Sequence, residues 1–199
     1  LNTESEEKTR WDQRYTESPE SWTNPDDFLL RAYEEFLTRE PPGHALDLAG
    51  GAGRNSLFLL QRGWQVKLID ISAVGLRLAK EKAGQLESAS GWFSAERADL
   101  NTVTDLGTDQ YEVITVFYFL RRELFPAIAR ALKPGGILIY RTYTIDRMKV
   151  PGGPDDPRYL LQPNEMLRAF GELRVLHYHE TTEGKAAAEL VARKALSGQ

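Results

Sequence analysis

Asp47 and the glycines Gly50, Gly51 and Gly53 are the residues whose types and spacing could hold a ligand. An apolar run from Ala45 to Leu48 predicts a buried strand with Asp47 near its carboxyl end. A turn rich in glycine follows, then Ser56–Leu60 predicts a helix closed by Gly63. Strand, glycine turn and helix form the layout of a nucleotide-type cofactor site. Side chains in the turn would hold a ligand off the backbone N–H groups, which is why the chemistry calls for glycine. A dinucleotide G-x-G-x-x-G beginning at Gly51 would need glycine where Ser56 stands. The acid also precedes the glycines, so the pattern differs from the dinucleotide one.

The elements that must position this segment follow from the apolar pattern. Trp11 and Tyr15 are four residues apart, hence on one face of a short N-terminal helix. Asn24-Pro25 predicts a helix start, with Leu29, Ala32, Tyr33, Phe36 and Leu37 as its apolar stripe. Val66–Asp70 predicts strand two, with Asp70 where doubly wound folds place the acid that takes two ribose hydroxyls. Ile71 follows it, and Ser72 is a candidate N-cap. Trp92–Leu100 predicts strand three and its loop, and Tyr111–Phe119 a continuously apolar strand four. A helix opening at Arg121-Arg122, a Lys133-Pro134-Gly135-Gly136 turn and strand five at Ile137–Tyr140 come next. Residues 150–157, rich in proline and glycine, predict an irregular loop, read as a lid or a plain surface loop. A helix from Pro163-Asn164-Glu165 and a terminal hairpin, Leu173–Glu180 with Ala188–Lys194, complete the order.

The 199 residues suit one domain, with residues 1–40 as an N-terminal helical cap. A hydrophobic content of 41% and a charged content of 27% are those of a globular protein. The net charge of −4 disfavours nucleic acid as a partner. The chain has no cysteine, which excludes disulfides, zinc–thiolate sites and a thiol nucleophile. No metal site is expected. No apolar run reaches membrane-spanning length, and the polar segment Leu1–Arg10 is unlike a secretory signal. The expected setting is cytoplasmic.

Acid-x-x-x-Gly-x-Gly at Asp47–Gly53 resembles motif I of class I S-adenosylmethionine (SAM) methyltransferases. The run Gly53–Leu59, followed by Gly63-Trp64 and strand two, is most similar to the small tellurite-resistance and thiopurine-type enzymes. The K-P-G-G turn resembles the same class, and the likeness spans residues 11 to about 194. Ala49 replaces the first glycine usual in that motif. The resemblance implies an α/β fold: a doubly wound, Rossmann-like seven-stranded sheet of order 3-2-1-4-5-7-6, strand seven antiparallel, with helices on both faces. It implies SAM as cofactor, with the methionine ammonium oriented by Asp47. The turn of Ala49, Gly50, Gly51 and Gly53, with Arg54 and Asn55, would lie against the methionine and ribose. Asp70 and Ile71 would take the ribose, and Asp99-Leu100 the adenine. Trp11, Tyr15 and Phe117 would border the cationic sulfonium.

The implied activity is methyl transfer to a small acceptor of oxyanion, thiol or carboxylate type. Tyr118, Arg121, Arg141 and Tyr143, at or near the carboxyl ends of strands four and five, would suit an anion. No residue declares itself a base; His177 and His179 share one face of strand six. Two other classes fit the same elements. A nicotinamide-dependent oxidoreductase is counted against by Asp47 and Ser56. A non-catalytic SAM-binding regulatory protein would carry the same cofactor motifs.

Overall fold

The structure is a computed structural model that describes residues 3–18, 21, 23–86, 92–150 and 156–196. Seven strands form one mixed sheet of order β3-β2-β1-β4-β5-β7-β6, the order implied by the resemblance. The strands are β1 (His44–Leu48), β2 (Gln65–Asp70), β3 (Phe93–Arg97), β4 (Tyr111–Phe117), β5 (Leu132–Tyr143), β6 (Arg174–Glu180) and β7 (Ala187–Arg193). The chain divides into two compact units, residues 1–103 and 104–199.

In the first unit β1 pairs parallel with β2, and β2 with β3. The helices are α1 (Thr3–Glu17), α2 (Asp27–Ala32), α3 (Arg54–Leu60) and α4 (Ala73–Gly84). A parallel strand must be covered on both faces, and Ala45, Leu46 and Leu48 of β1 are fully buried. Leu68 on β2 packs with Leu76 and Ala79 of α4, against Phe93 and Ala95 of β3. Ser72 caps α4, its side chain accepting from the Gly75 N–H, as its type predicts. The second helix begins later than Asn24-Pro25 predicts. Its N-cap is Asp26, which accepts from the Phe28 N–H and is itself held by distant partners. α2 then widens into a single π turn over Tyr33–Leu37.

In the second unit β4 and β5 are parallel, while β7 runs antiparallel to both β5 and β6. The strand expected at Ile137–Tyr140 is longer at both ends. Leu132 pairs with Tyr111 and Ile137 with Val113, so Lys133–Gly136 bulge out of the ladder. Gly135, at φ 82°, turns that bulge. Arg122–Leu124 form a 3₁₀ turn ahead of α5 (Phe125–Ala131), so the helix proper starts after the two arginines. The short α6 (Glu165–Ala169) precedes the terminal hairpin. Of the predicted loop at 150–157, residues 151–155 lie outside the described residues. Among the described residues no helix is long and apolar enough to cross a membrane.

Candidate cofactor and acceptor sites

The first unit gathers the acid–glycine segment, Asp70 and α1. Asp47 is buried and its Oδ2 accepts from Ser56 Oγ at 2.6 Å. Ser56, the residue that breaks the dinucleotide pattern, therefore fixes the orientation of the acid. Gly51 and Gly53 sit in the left-handed region, φ 57° and 78°, where L side chains are strained. Ala49 adopts the same region at φ 55°, so the departure from glycine is tolerated as local strain. A Cβ on Gly51 would overlap Tyr15 Oη, and one on Gly50 would overlap Asp47 and Leu68.

Asp70 is buried at the end of β2, and its two oxygens are used differently. Oδ2 accepts from the Gly51 N–H and Oδ1 from the Ser72 N–H, both at 2.8 Å. Burial pushes its carboxyl up to about 6, with the nearby Asp47 charge adding to the rise and these N–H groups opposing it.

α1 lies across all three strand-end loops of this unit. Glu7 accepts from Asn101 in the loop after β3 at 3.0 Å. Asp12 Oδ1 accepts from Ser72 Oγ at 2.6 Å and from the Val74 N–H at 3.2 Å. Burial alone would raise the Asp12 carboxyl; hydrogen bonds from Lys8, Ser72 and Val74 hold it below the usual range. The Tyr15 hydroxyl accepts from the Ala52 N–H, and burial drives its pKa above the ordinary tyrosine value. Its ring lies beside Gly75, where a Cβ would meet it at 3.0 Å, and stacks on Trp11 at 5.9 Å.

Arg54 and Asn55 turn toward the α2 N-terminus. Asn55 Oδ1 accepts from the Asp26 N–H at 2.9 Å, and Arg54 stands 3.4 Å from Asp26 Oδ2. Ile71 is half-buried, with its carbonyl accepting from Arg97 Nε at 3.3 Å. Asp99 makes an Asx turn, accepting from the Asn101 N–H, while Leu100 is buried.

These residues fit a SAM cradle. Each Asp70 oxygen accepts one of the N–H groups just described, and a carboxylate oxygen can accept a second donor. That is the capacity a ribose diol needs. Gly51 and Gly53 keep the turn clear of side chains, and Asp47 supplies the buried negative charge. When bound, SAM supplies a methyl group on an electrophilic sulfonium.

The second unit gathers a different set. Phe117, the last residue of β4, is buried; Tyr118 follows in the left-handed region at φ 56°. A bulky residue there signals backbone strain of the sort held at functional sites. The Tyr118 and Tyr143 rings meet at 4.9 Å. Arg141 lies 5.8 Å from the Tyr118 ring centre, and Lys185 Nζ is 3.4 Å from Tyr118 Oη. Arg141 and Glu189 are both buried and stand 3.3 Å apart, with His177 Nε2 3.8 Å from Glu189. Arg121 pairs instead with Glu123 at 3.6 Å.

Three residues here escape a reading of the sequence. Glu189 lies in an otherwise apolar strand, Lys185 in a polar turn, and Arg147 in an irregular segment. Arg147 stands 5.5 Å from the Tyr143 ring centre. Tyr118 and Tyr143, both anticipated, were the signal that could have led to them. Among the described residues no cluster of His, Asp or Glu could hold a metal ion.

Comparison with known proteins agrees with this geometry. Residues 45–136 match the family model described as a methyltransferase domain. A search of curated proteins returns no match. Among solved structures, TehB from Haemophilus influenzae is similar at TM-score 0.67 and 20% identity, covering 83% of this chain and 61% of TehB. An S-adenosylmethionine-dependent methyltransferase from Mesorhizobium loti gives TM-score 0.66 at 18% identity, covering 84% and 98%. The [4+2]-cyclase SpnF shares the fold at TM-score 0.67 and 15% identity, covering 85% and 80%. Residues 45–136 therefore match a methyltransferase domain, and the chain shares the fold of S-adenosylmethionine-dependent methyltransferases.

Proposed function

We propose that the methyl acceptor is a small molecule carrying a negative charge. The observation behind this reading is the charge balance around Tyr118 and Tyr143. Arg141, Arg147 and Lys185 stand on these rings, and Glu189 is the carboxylate paired within the set. Arg141 is buried and Arg147 half-buried against these rings, which strengthens their attraction for an anion.

On this reading Asp47 orients the methionine ammonium and the turn of Ala49, Gly50, Gly51 and Gly53 receives methionine and ribose. Asp70 takes the ribose hydroxyls, Ile71 lies beside them, and Asp99-Leu100 takes the adenine. Trp11 and Tyr15 border the sulfonium, while Arg54 and Asn55 support the turn by holding Asp26. The protein's contribution to the transfer is alignment and exclusion of water, because the donor is already reactive. Tyr118, Arg141 and Tyr143 shape the acceptor site; Arg121 contributes charge from the edge.

A transfer screen tests this reading. Labelled SAM is offered with pooled small acceptors, divided into carboxylates, oxyanions, thiols and neutral amines. Label in the anionic pools supports the proposal; label confined to neutral amines overturns it. Binding of demethylated SAM, followed by calorimetry beside NAD, checks the cofactor separately.

A further inference from the structure

We infer that Arg147 is the residue that grips the acceptor's carboxylate, through the Nε–Nη2 edge of its guanidinium. This rests on the acceptor reading above and names the group that reads the charge. Arg141, one of the two arginines the sequence offers, is already neutralised: it is buried with Glu189 at 3.3 Å. Arg121 has Glu123 at 3.6 Å. Arg147 differs from both in standing in no ion pair among the described residues. Its Nη1 donates to the Val150 carbonyl at 3.0 Å, which fixes the plane of the guanidinium. Its Nε is buried and has no hydrogen-bond partner among the described residues. The neighbouring carboxylate, Asp146, is taken by Lys149 at 2.5 Å.

A guanidinium with one Nη anchored keeps the opposite edge, Nε–H and Nη2–H, as a two-pronged donor. That edge matches the spacing of two carboxylate oxygens. A buried N–H without a partner is costly, so the residue gains most from a ligand that accepts there. Tyr143, in cation–π contact with Arg147, and Tyr118, in ring contact with Tyr143, supply apolar surface for the acceptor's carbon frame. Lys185, at Tyr118 Oη, adds a second positive charge to the same ring pair.

Benzoate and inorganic phosphate are the probes, followed by nitrogen–proton NMR of the arginine Nε–H groups in the full chain saturated with demethylated SAM. The Arg147 signal is assigned by its loss in Arg147→Lys. Benzoate should move this signal strongly and phosphate weakly. Arg147→Met should weaken benzoate roughly ten- to a hundred-fold, the loss expected for charge-assisted hydrogen bonds. Affinity for demethylated SAM should not change in that variant. An unmoved Nε–H signal, a preference for phosphate, or equal benzoate affinity in Arg147→Met overturns the inference. Failure of the wild-type chain to bind demethylated SAM would instead count against the cofactor reading, since the benzoate measurement can be repeated without it.

Discussion

Around Gly51 the polar groups of the first unit answer one another, whereas around Tyr118 and Tyr143 the second unit gathers three cationic side chains on aromatic rings. Asp70 receives two backbone N–H groups, Asp47 receives Ser56, and Ala52 donates to Tyr15. Near Tyr118 and Tyr143 stand Arg141, Arg147 and Lys185, and the buried carboxylate of Glu189 pairs with Arg141. The difference is between a set of matched hydrogen bonds and a cluster of charges on aromatic rings. A cofactor of fixed structure suits the first; a charged acceptor suits the second.

The largest effect should come from the place where the second unit is balanced. Glu189→Ala leaves Arg141 buried without its carboxylate, a change that costs about 3–5 kcal/mol. Chemical denaturation should show the loss. A cost below about 1 kcal/mol would mean that the pair is solvated and that the unit has no balanced core of charge.

Gly51→Val attacks the first unit at its tightest point. Its Cβ would overlap Tyr15 Oη and its backbone sits at φ 57°, so both packing and conformation resist. Overpacking and left-handed strain each cost about 1–3 kcal/mol. The melting temperature should fall and affinity for demethylated SAM should drop together. Normal binding by a folded Val variant would show that the turn is not the cradle.

Asp70 ties the comparison to pH. Its folded pKa, about 6, lies above the ordinary aspartate value of 3.8, so the folded state holds the proton more tightly. The group's contribution to stability is therefore fully present below 3.8 and is lost as pH rises through 6. Across that window the loss amounts to roughly 3 kcal/mol. Ribose hydroxyls favour the charged carboxylate, so cofactor binding should weaken as pH falls below 6 and should release protons near it. Calorimetry at that pH in two buffers of different ionisation enthalpy reads the release. Asp70→Asn should abolish it; an unchanged proton count would remove Asp70 from the binding site.

Much of the first unit could be read along the sequence because its signals are local. Ala45–Leu48, the glycine turn and Asp70 stand within one strand–turn–helix–strand stretch, each marked by type. What could not be read depends on distant partners. Asp26 became the α2 N-cap through Asn55 and Arg54, which the Asn-Pro signal could not reveal. The ties of Glu7 to Asn101 and of Asp12 to Ser72 join residues far apart in the chain. In the second unit the strand order was legible from apolar runs and the tyrosines from their place at strand ends. Glu189 was hidden among Ala188 and Leu190, where a strand of small and apolar residues reads only as core. Arg147 sits in a 3₁₀ segment, Ile145–Lys149, that has no periodic pattern to mark it.

The smallest effect gives the sharpest contrast, because the same atom is removed from both regions. In Tyr15→Phe the ring remains beside Gly75, but the Ala52 N–H loses the oxygen that accepts it. Tyr15 is buried, so that N–H has little access to water, and the cost should be about 1–3 kcal/mol. In Tyr118→Phe the lost hydroxyl faces Lys185 at 3.4 Å, and Lys185 is exposed. Water can replace that contact, so stability should stay within about 0.5 kcal/mol. The Lys185 charge also keeps its place over the ring, 5.9 Å from the centre, without needing the oxygen. Denaturant midpoints of the two variants, taken beside the parent chain, decide the matter. Equal losses would mean that the Tyr118 hydroxyl is as firmly built in as that of Tyr15. The contrast between a matched cradle and an open cationic surface would then fail at the very atoms meant to display it.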